Sequence, residues 1–212
     1  MFCFLSCFTM TDFIYLASQS PRRAQLLTQL GVRYELLLAD EQEDAEALEV
    51  ALHNEAPATY VKRVTALKLA AAVVRRVRRK LPDAPVLCSD TTVALGRTIY
   101  GKPLDADDAQ AMLTALSGQT HRVLTAVAVQ TAGPMPSSFE IINVSRVSFA
   151  DMSPAQIAAY VATGEPVGKA GAYAVQGRAA MHIRRISGSY SGIMGLPLHE
   201  TAQLLRVVGL AV

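Results

Sequence analysis

The sequence predicts an α/β fold. Short apolar runs of strand character alternate with segments of helical periodicity along the chain. Helix-start residues stand where that alternation puts helix entries: Ser20-Pro21, Pro57, Asp105 and Ser153-Pro154. The composition is that of a packed protein, with 212 residues of which 51% are apolar and 18% charged, enough chain to bury a real core.

Taken in order, Phe13–Ala17 reads as a buried strand. Ser20 caps a helix whose first position is Pro21, whose apolar face is Ala24, Leu26, Leu27 and Leu30, and whose end is Gly31. Tyr34–Leu38 is a second strand, and the acidic stretch Asp40–Glu49 an exposed loop or helical turn. Pro57 opens a long helix whose basic end, Arg75–Lys80, reads as a solvated C-terminus complementing the helix dipole. Val86–Ser89 is a strand with Asp90-Thr91-Thr92 at its C-terminal end, and Gly96 makes a tight turn. Asp105 starts a helix closed by Ser117-Gly118. Val123–Val129 and Phe139–Phe149 pair as long strands, and Ser153-Pro154 opens a helix to about Val161. The glycine-rich stretch Gly164–Gly177 precedes a strand at Ala179–Ile186, and Leu198–Val208 forms the last helix. There is no internal repeat or linker.

A net charge of +2 lends no support to a general nucleic-acid or membrane-surface role. No stretch approaches the roughly 18 apolar residues of a spanning helix. Cys3, Cys7 and Cys88 cannot form a disulfide framework and meet no histidine cluster, so a reducing, cytoplasmic location is expected. Residues 1–12 read as an N-terminal extension, with Met10 an alternative start, and residues 13–212 as a single domain.

Ser18–Arg23 is the first segment with chemistry. A strand ending in small hydroxyl residues and running straight into a helix offers backbone N–H groups and a positive dipole end to an anion. Arg22 and Arg23 in that first turn oppose the dipole. Their placement is explained either by a phosphate chain held between their forked donors or by pairing with acids such as those at 40–49. Asp90, at a buried strand end, is a candidate base for water or a metal ligand; the alternative is a turn-forming aspartate. Lys68 and Lys102 are candidate cations for a polyphosphate. Gly164–Ala170 imitates a P-loop but is one residue short and lacks the Ser or Thr that would hold magnesium. His121 reads as a local structural hydrogen-bonder.

In this order the segments LASQSPRRAQLLTQLG (16–31), YVKRVTALKLA (60–70), SDTTVALGRTIYGKP (89–103), AMLTALSGQTHRVLTAVAV (111–129), YVATGEPVGKAGAYAVQG (160–177) and GSYSGIMGLPLHET (188–201) resemble the Maf family of nucleoside triphosphate pyrophosphatases. The resemblance covers nearly everything from Phe13 onward. It implies a long, curved mixed sheet with flanking helices in two lobes around a cleft, cleavage between the α- and β-phosphates, a divalent cation (Mg²⁺ or Mn²⁺) and a homodimer. By position, Asp90 matches the proton acceptor, and Ser18, Arg22, Arg23, Lys68 and Lys102 match phosphate-binding residues. An ungapped count from Gly31 favours Glu43 as the catalytic or metal-associated acid, with Glu41 as the alternative; the metal ligands stay unassigned. Lys169–Gly177 looks like the branch acting on dTTP and UTP, in which Arg22, Thr91 and Gln176 match specificity positions. A glutamine amide offers both donor and acceptor to the O4/N3–H edge of thymine or uracil. The rival readings are a pyrophosphatase for 7-methyl-GTP and a non-catalytic regulator of septum formation.

Overall fold

The computed structural model describes residues 12–40, 43 and 47–212; the extension before Asp12, with Met10, Cys3 and Cys7, and the alternative acid Glu41 lie outside these residues. The chain opens with β1 (Phe13–Leu16), α1 (Pro21–Gln29) and β2 (Arg33–Leu36), a right-through β-α-β unit in which β1 and β2 pair in parallel from Phe13↔Arg33 to Leu16↔Leu36. Pro21 takes the first helical turn, Leu26 and Leu27 face the core, and Gly31 ends the helix at φ +70°. Ser20 stands at the N-cap without capping through its side chain.

A short 3-10 turn at Ala47–Glu49 precedes α2 (Pro57–Arg78). Then come β3 (Val86–Leu95), β4 (Thr98–Tyr100), α3 (Ala106–Leu116), β5 (Thr120–Gln130), β6 (Ser138–Phe149) and α4 (Pro154–Val161). The chain finishes with β7 (Ile183–Ser187), α5 (Tyr190–Met194) and α6 (Leu198–Val207). Asp105 caps α3 by accepting from the Asp108 amide, and Ser153 with Gln156 forms a reciprocal capping box on α4.

The seven-stranded sheet runs β2-β1-β3-β5-β6-β7, with β4 added to β3. Its β2-β1-β3 part is parallel and the rest antiparallel, so the sheet is mixed. α2 covers one face, packing Tyr60, Val61, Val64, Leu69 and Ala72 over Cys88, Ala94, Leu124 and Ala126. α1 and α6 cover the other with Leu26, Leu27, Leu204 and Leu205 over Ile14, Leu16, Leu87, Val127 and Val129. A further core joins α3 and α4 to the far end of the sheet through Leu113, Leu116, Ile157 and Tyr160 against Val123, Val147 and Phe149. These cores make the two lobes.

Three elements differ from the sequence reading. β3 does not stop at Ser89 but continues to Leu95, because Thr91, Thr92 and Val93 are β-branched and β5 pairs with the whole strand from Val86↔Gln130 to Ala94↔Arg122. The strand expected from Ala179 begins at Ile183, after a 3-10 turn over Arg178–His182. α5 was not foreseen, since Ser191-Gly192 lowers its helical signal; Ser189 caps it by accepting from the Gly192 amide.

One irregularity positions the site. β3 is fully paired with β5 on one edge, but on the other it meets β1 only at Val86 and Leu87 and β4 only from Val93 to Leu95. Residues 88–92 therefore border a gap in the sheet. Side chains alternate across a strand, so Asp90 and Thr91 point to opposite faces, yet both reach the opening.

Candidate active site

A cleft of about 640 Å³ opens at this gap, in the ordinary size range for a small-molecule site, and Ser18, Arg22, Arg23, Glu43, Lys68, Asp90, Thr91, Lys102 and Gln176 all line it. Nine residues scattered over 159 positions of sequence are thus brought to one concavity.

The loop before α1 forms one wall. Arg23 donates from Nε to the Gly195 carbonyl (2.9 Å), from Nη1 to Ser18 Oγ (3.1 Å) and from Nη2 to Thr91 Oγ1 (3.3 Å). Arg22 Nε donates to the Met194 carbonyl at 3.4 Å. Gly195 sits at φ +117°, and a Cβ there would lie 3.3 Å from Arg23 Nε, so glycine both permits the turn and admits the guanidinium. Burial lowers the pKa of both arginines from its ordinary value, which is the mark of cations held by neutral acceptors. Among the described residues neither arginine pairs with an acid.

Of the acids at 40–49 that offered the other explanation, the described ones are engaged elsewhere: Lys68 and Lys102 bind Glu49. Asp40 is bound by Arg78 and Arg79, and Glu43 by Arg75 and Arg78. The basic end of α2 is accordingly only in part the solvated terminus expected: Arg78, Arg79 and Lys80 are exposed, whereas Arg75 and Arg76 are not. Arg75 is buried, donating to the Leu37 carbonyl at 2.7 Å and clasping Glu43 through Nε and Nη2, while Arg76 donates to the Ala84 carbonyl. Arg75 holds the Glu43 carboxyl below the usual range against the opposing effect of burial. Glu43 lines the cleft, then, with its charge committed to α2.

At the centre stands Lys68, projected from α2 towards β3. Its Nζ donates to Asp90 Oδ1 at 2.5 Å and to Glu49 Oε1 at 2.6 Å. Lys102 Nζ reaches Glu49 Oε2 at 3.2 Å. Burial opposes ionisation of Glu49, but Lys68 and Lys102 outweigh it and hold the carboxyl below its ordinary range. Sequence reasoning singled out both lysines and Asp90 and passed over Glu49. Its only signal was a place at the end of the acidic stretch; neither motif nor spacing tied it to Lys68.

Gln176 lines the cleft and is exposed. Gly168, Lys169 and Ala170, within the stretch that mimics a P-loop, also line the cleft, although a strand and a crossing helix are missing around them. Lys169 donates to the Val167 carbonyl at 3.0 Å; burial and Arg22 push its pKa down. Behind this stretch His121 Nε2 lies 2.8 Å from the Tyr173 hydroxyl, a structural hydrogen bond as expected but made across the fold rather than locally, and burial lowers the imidazole to about 4. Cys88 is buried, with its thiol pushed up to about 12 by that burial.

Among the described residues no three His, Cys, Asp or Glu side chains cluster as metal ligands. Asp90 and Glu49 nevertheless converge on a single cationic nitrogen.

Residues 13–208 match the family described as Maf-like protein. A protein of Albidiferax ferrireducens named dTTP/UTP pyrophosphatase is 67% identical, covering 96% of this chain and 100% of its own length. Relatives of the same name from Cupriavidus pinatubonensis and Burkholderia pseudomallei are 65% and 59% identical, covering 93% and 94% of this chain and 97% and 95% of theirs. Among solved structures, a HAM1 protein from Coxiella burnetii superposes with a TM-score of 0.49 at 16% identity, covering 93% of this chain and all of that one.

Proposed function

This chain belongs to the Maf-like protein family, and we propose that it hydrolyses dTTP and UTP to the monophosphate and pyrophosphate in the cleft beside β3. The names of its relatives support the substrate class. The observation that carries the chemistry is Lys68, whose one ammonium spans Asp90 and Glu49 at 2.5 and 2.6 Å beside two arginines that have no acid partner among the described residues. A cationic wall next to a buried carboxylate is what an in-line attack of water on a phosphoanhydride needs.

In this reading Ser18, Arg22 and Arg23 hold the phosphate chain, and Lys68 and Lys102 turn from Glu49 towards it. Release from Lys68 leaves Asp90 Oδ1 free to take the proton of the attacking water. The residues fit a divalent ion of the magnesium type, which is commonly held by one or two carboxylates with the substrate phosphates completing its shell. Asp90 and Glu49 would hold it; Glu43, favoured by the family resemblance, is bound to Arg75 and Arg78 instead. When bound, such an ion neutralises charge developing on the phosphate oxygens. Thr91, Gln176 and Arg22 select the base, with the Gln176 amide able to donate to O4.

Pyrophosphate release measured over a nucleotide panel with magnesium and manganese tests the reading. The expected result is highest kcat/KM for dTTP and UTP; 7-methyl-GTP or ITP turning over faster would refute it. Asp90→Asn is expected to reduce turnover by on the order of 100-fold or more, the scale of a general base. Near-wild-type release by the folded variant would remove Asp90 from that role.

A further inference from the structure

Arg23 is the head of a hydrogen-bond chain that runs away from the cleft into the sheet. Arg23 Nη2 donates to Thr91 Oγ1 at 3.3 Å, Thr91 Oγ1 lies 2.9 Å from Thr125 Oγ1, and Thr125 Oγ1 donates to the Gly192 carbonyl at 2.7 Å. Thr91 and Thr125 are direct partners across β3 and β5, and Thr125 is 1% exposed.

The two ends set the direction of every proton in the chain. A guanidinium only donates and a carbonyl only accepts. Thr125 has one hydroxyl proton and gives it to Gly192. The proton between the two threonines therefore belongs to Thr91, and it points at Thr125, away from the cleft. The far end is firmly seated. A Cβ on Gly192 would come within 2.8 Å of Asn143 Oδ1, and Asn143 Nδ2 donates to Glu200 Oε1 at 2.6 Å.

We propose that Thr125 is a positioning residue for base selection: by taking the Thr91 proton it leaves Thr91 only lone pairs to present to the cleft. The proposal rests on the reading that Thr91 meets the nucleobase. One Thr91 lone pair is engaged by Arg23 and the other accepts from the N3–H of thymine or uracil. Cytosine carries a lone pair at N3, which a proton-committed Thr91 repels. Thr125, which never touches substrate, thus tells one pyrimidine from the other through Thr91.

The test compares kcat/KM for dTTP and dCTP in wild type, Thr125→Val and Thr125→Ser. Valine keeps the volume and removes the acceptor, so Thr91 can turn its proton to the cleft. The dTTP:dCTP ratio is expected to fall roughly 3- to 10-fold, the worth of one hydrogen bond, mostly through a higher KM for dTTP. Serine is expected to restore it. A valine protein that keeps the wild-type ratio, or loses activity on both nucleotides equally, overturns the proposal, as does a serine protein that fails to restore it. Should the valine protein not fold, Thr125→Ala is read by the same ratio. Wild-type protein that releases no pyrophosphate from dTTP or UTP would instead refute the activity on which the proposal rests.

Discussion

Lys68 binds two carboxylates at once, and the way it shares them defines what each is for. Asp90 is on β3, buried, and its partner is a lysine that a phosphate can draw away. Glu49 touches both Lys68 and Lys102, so in the free protein it fills the place of an anion. If it also holds the metal ion, Glu49→Gln should raise the magnesium concentration for half-maximal activity roughly 10-fold, a typical loss for weakening a metal site, with kcat recovered at saturating metal. A lower KM for nucleotide with unchanged metal dependence would show that Glu49 merely occupies the lysines. Glu43→Gln, removing the acid that Arg75 clasps, is expected to leave the metal titration unmoved. At this scale the sequence was informative where a residue contradicted its local setting. Arg22 and Arg23 oppose a helix dipole, and neither has an acid partner among the described residues. Glu49 contradicts nothing around it, and only the fold brings it to Lys68.

Among the elements, α3 and α4 were legible from the capping residues at their starts, Asp105 and Ser153, whereas α5 was not, although Ser189 caps it. β3 was cut short in the reading because a carboxylate and three hydroxyls in a row resemble a turn; pairing with β5 along the whole strand overrides that local preference. β5 also supplies His121, which shows how the sheet supports the glycine-rich wall. Its imidazole bonds the Tyr173 hydroxyl and meets Phe149 and Tyr173 edge to face, while Nδ1 has no partner. Burial lowers the imidazole from 6.5 to about 4, so the folded state prefers the neutral ring. The unfolded chain therefore takes up the proton first. This stabilisation is complete above about pH 6.5 and is lost as pH falls towards 4, an effect of up to about 3 kcal/mol. Glu43 and Glu49, held below the ordinary carboxylate range, are still ionised between pH 6.5 and 5, which leaves that window to His121. Denaturant midpoints measured across the window should fall with pH in wild type and stay flatter in His121→Gln. Equal slopes in the two proteins would place the acid sensitivity elsewhere.

For the whole molecule, the alternation of strands and helices was enough to predict an α/β class, but not a mixed sheet, because periodicity reports which face is buried and never which way the neighbouring strand runs. The direction came with the family resemblance. Its consequence is the gap beside β3, where the parallel part of the sheet ends and β4 has not yet begun. The cleft there is lined by the α1 loop, by α2 and by the 168–176 segment, which packs against the α3/α4 core. In the proposed function, a nucleotide spanning it with phosphates on Arg23 and Lys68 and base at Gln176 would tie the two lobes together and bind only the folded state. Mass action then predicts a stability gain of about 2.7 kcal/mol at a hundredfold excess over Kd. For a protein of this length that is a rise in Tm of roughly 5–10 °C. Asp90→Asn lets this be measured without turnover: its melting temperature should rise with magnesium and dTTP, and rise far less with dCTP. Adding Arg23→Ala to that variant should abolish the shift by removing the hold on the phosphates. An undiminished shift in the double variant would mean that the nucleotide is held somewhere other than the wall formed by the α1 loop.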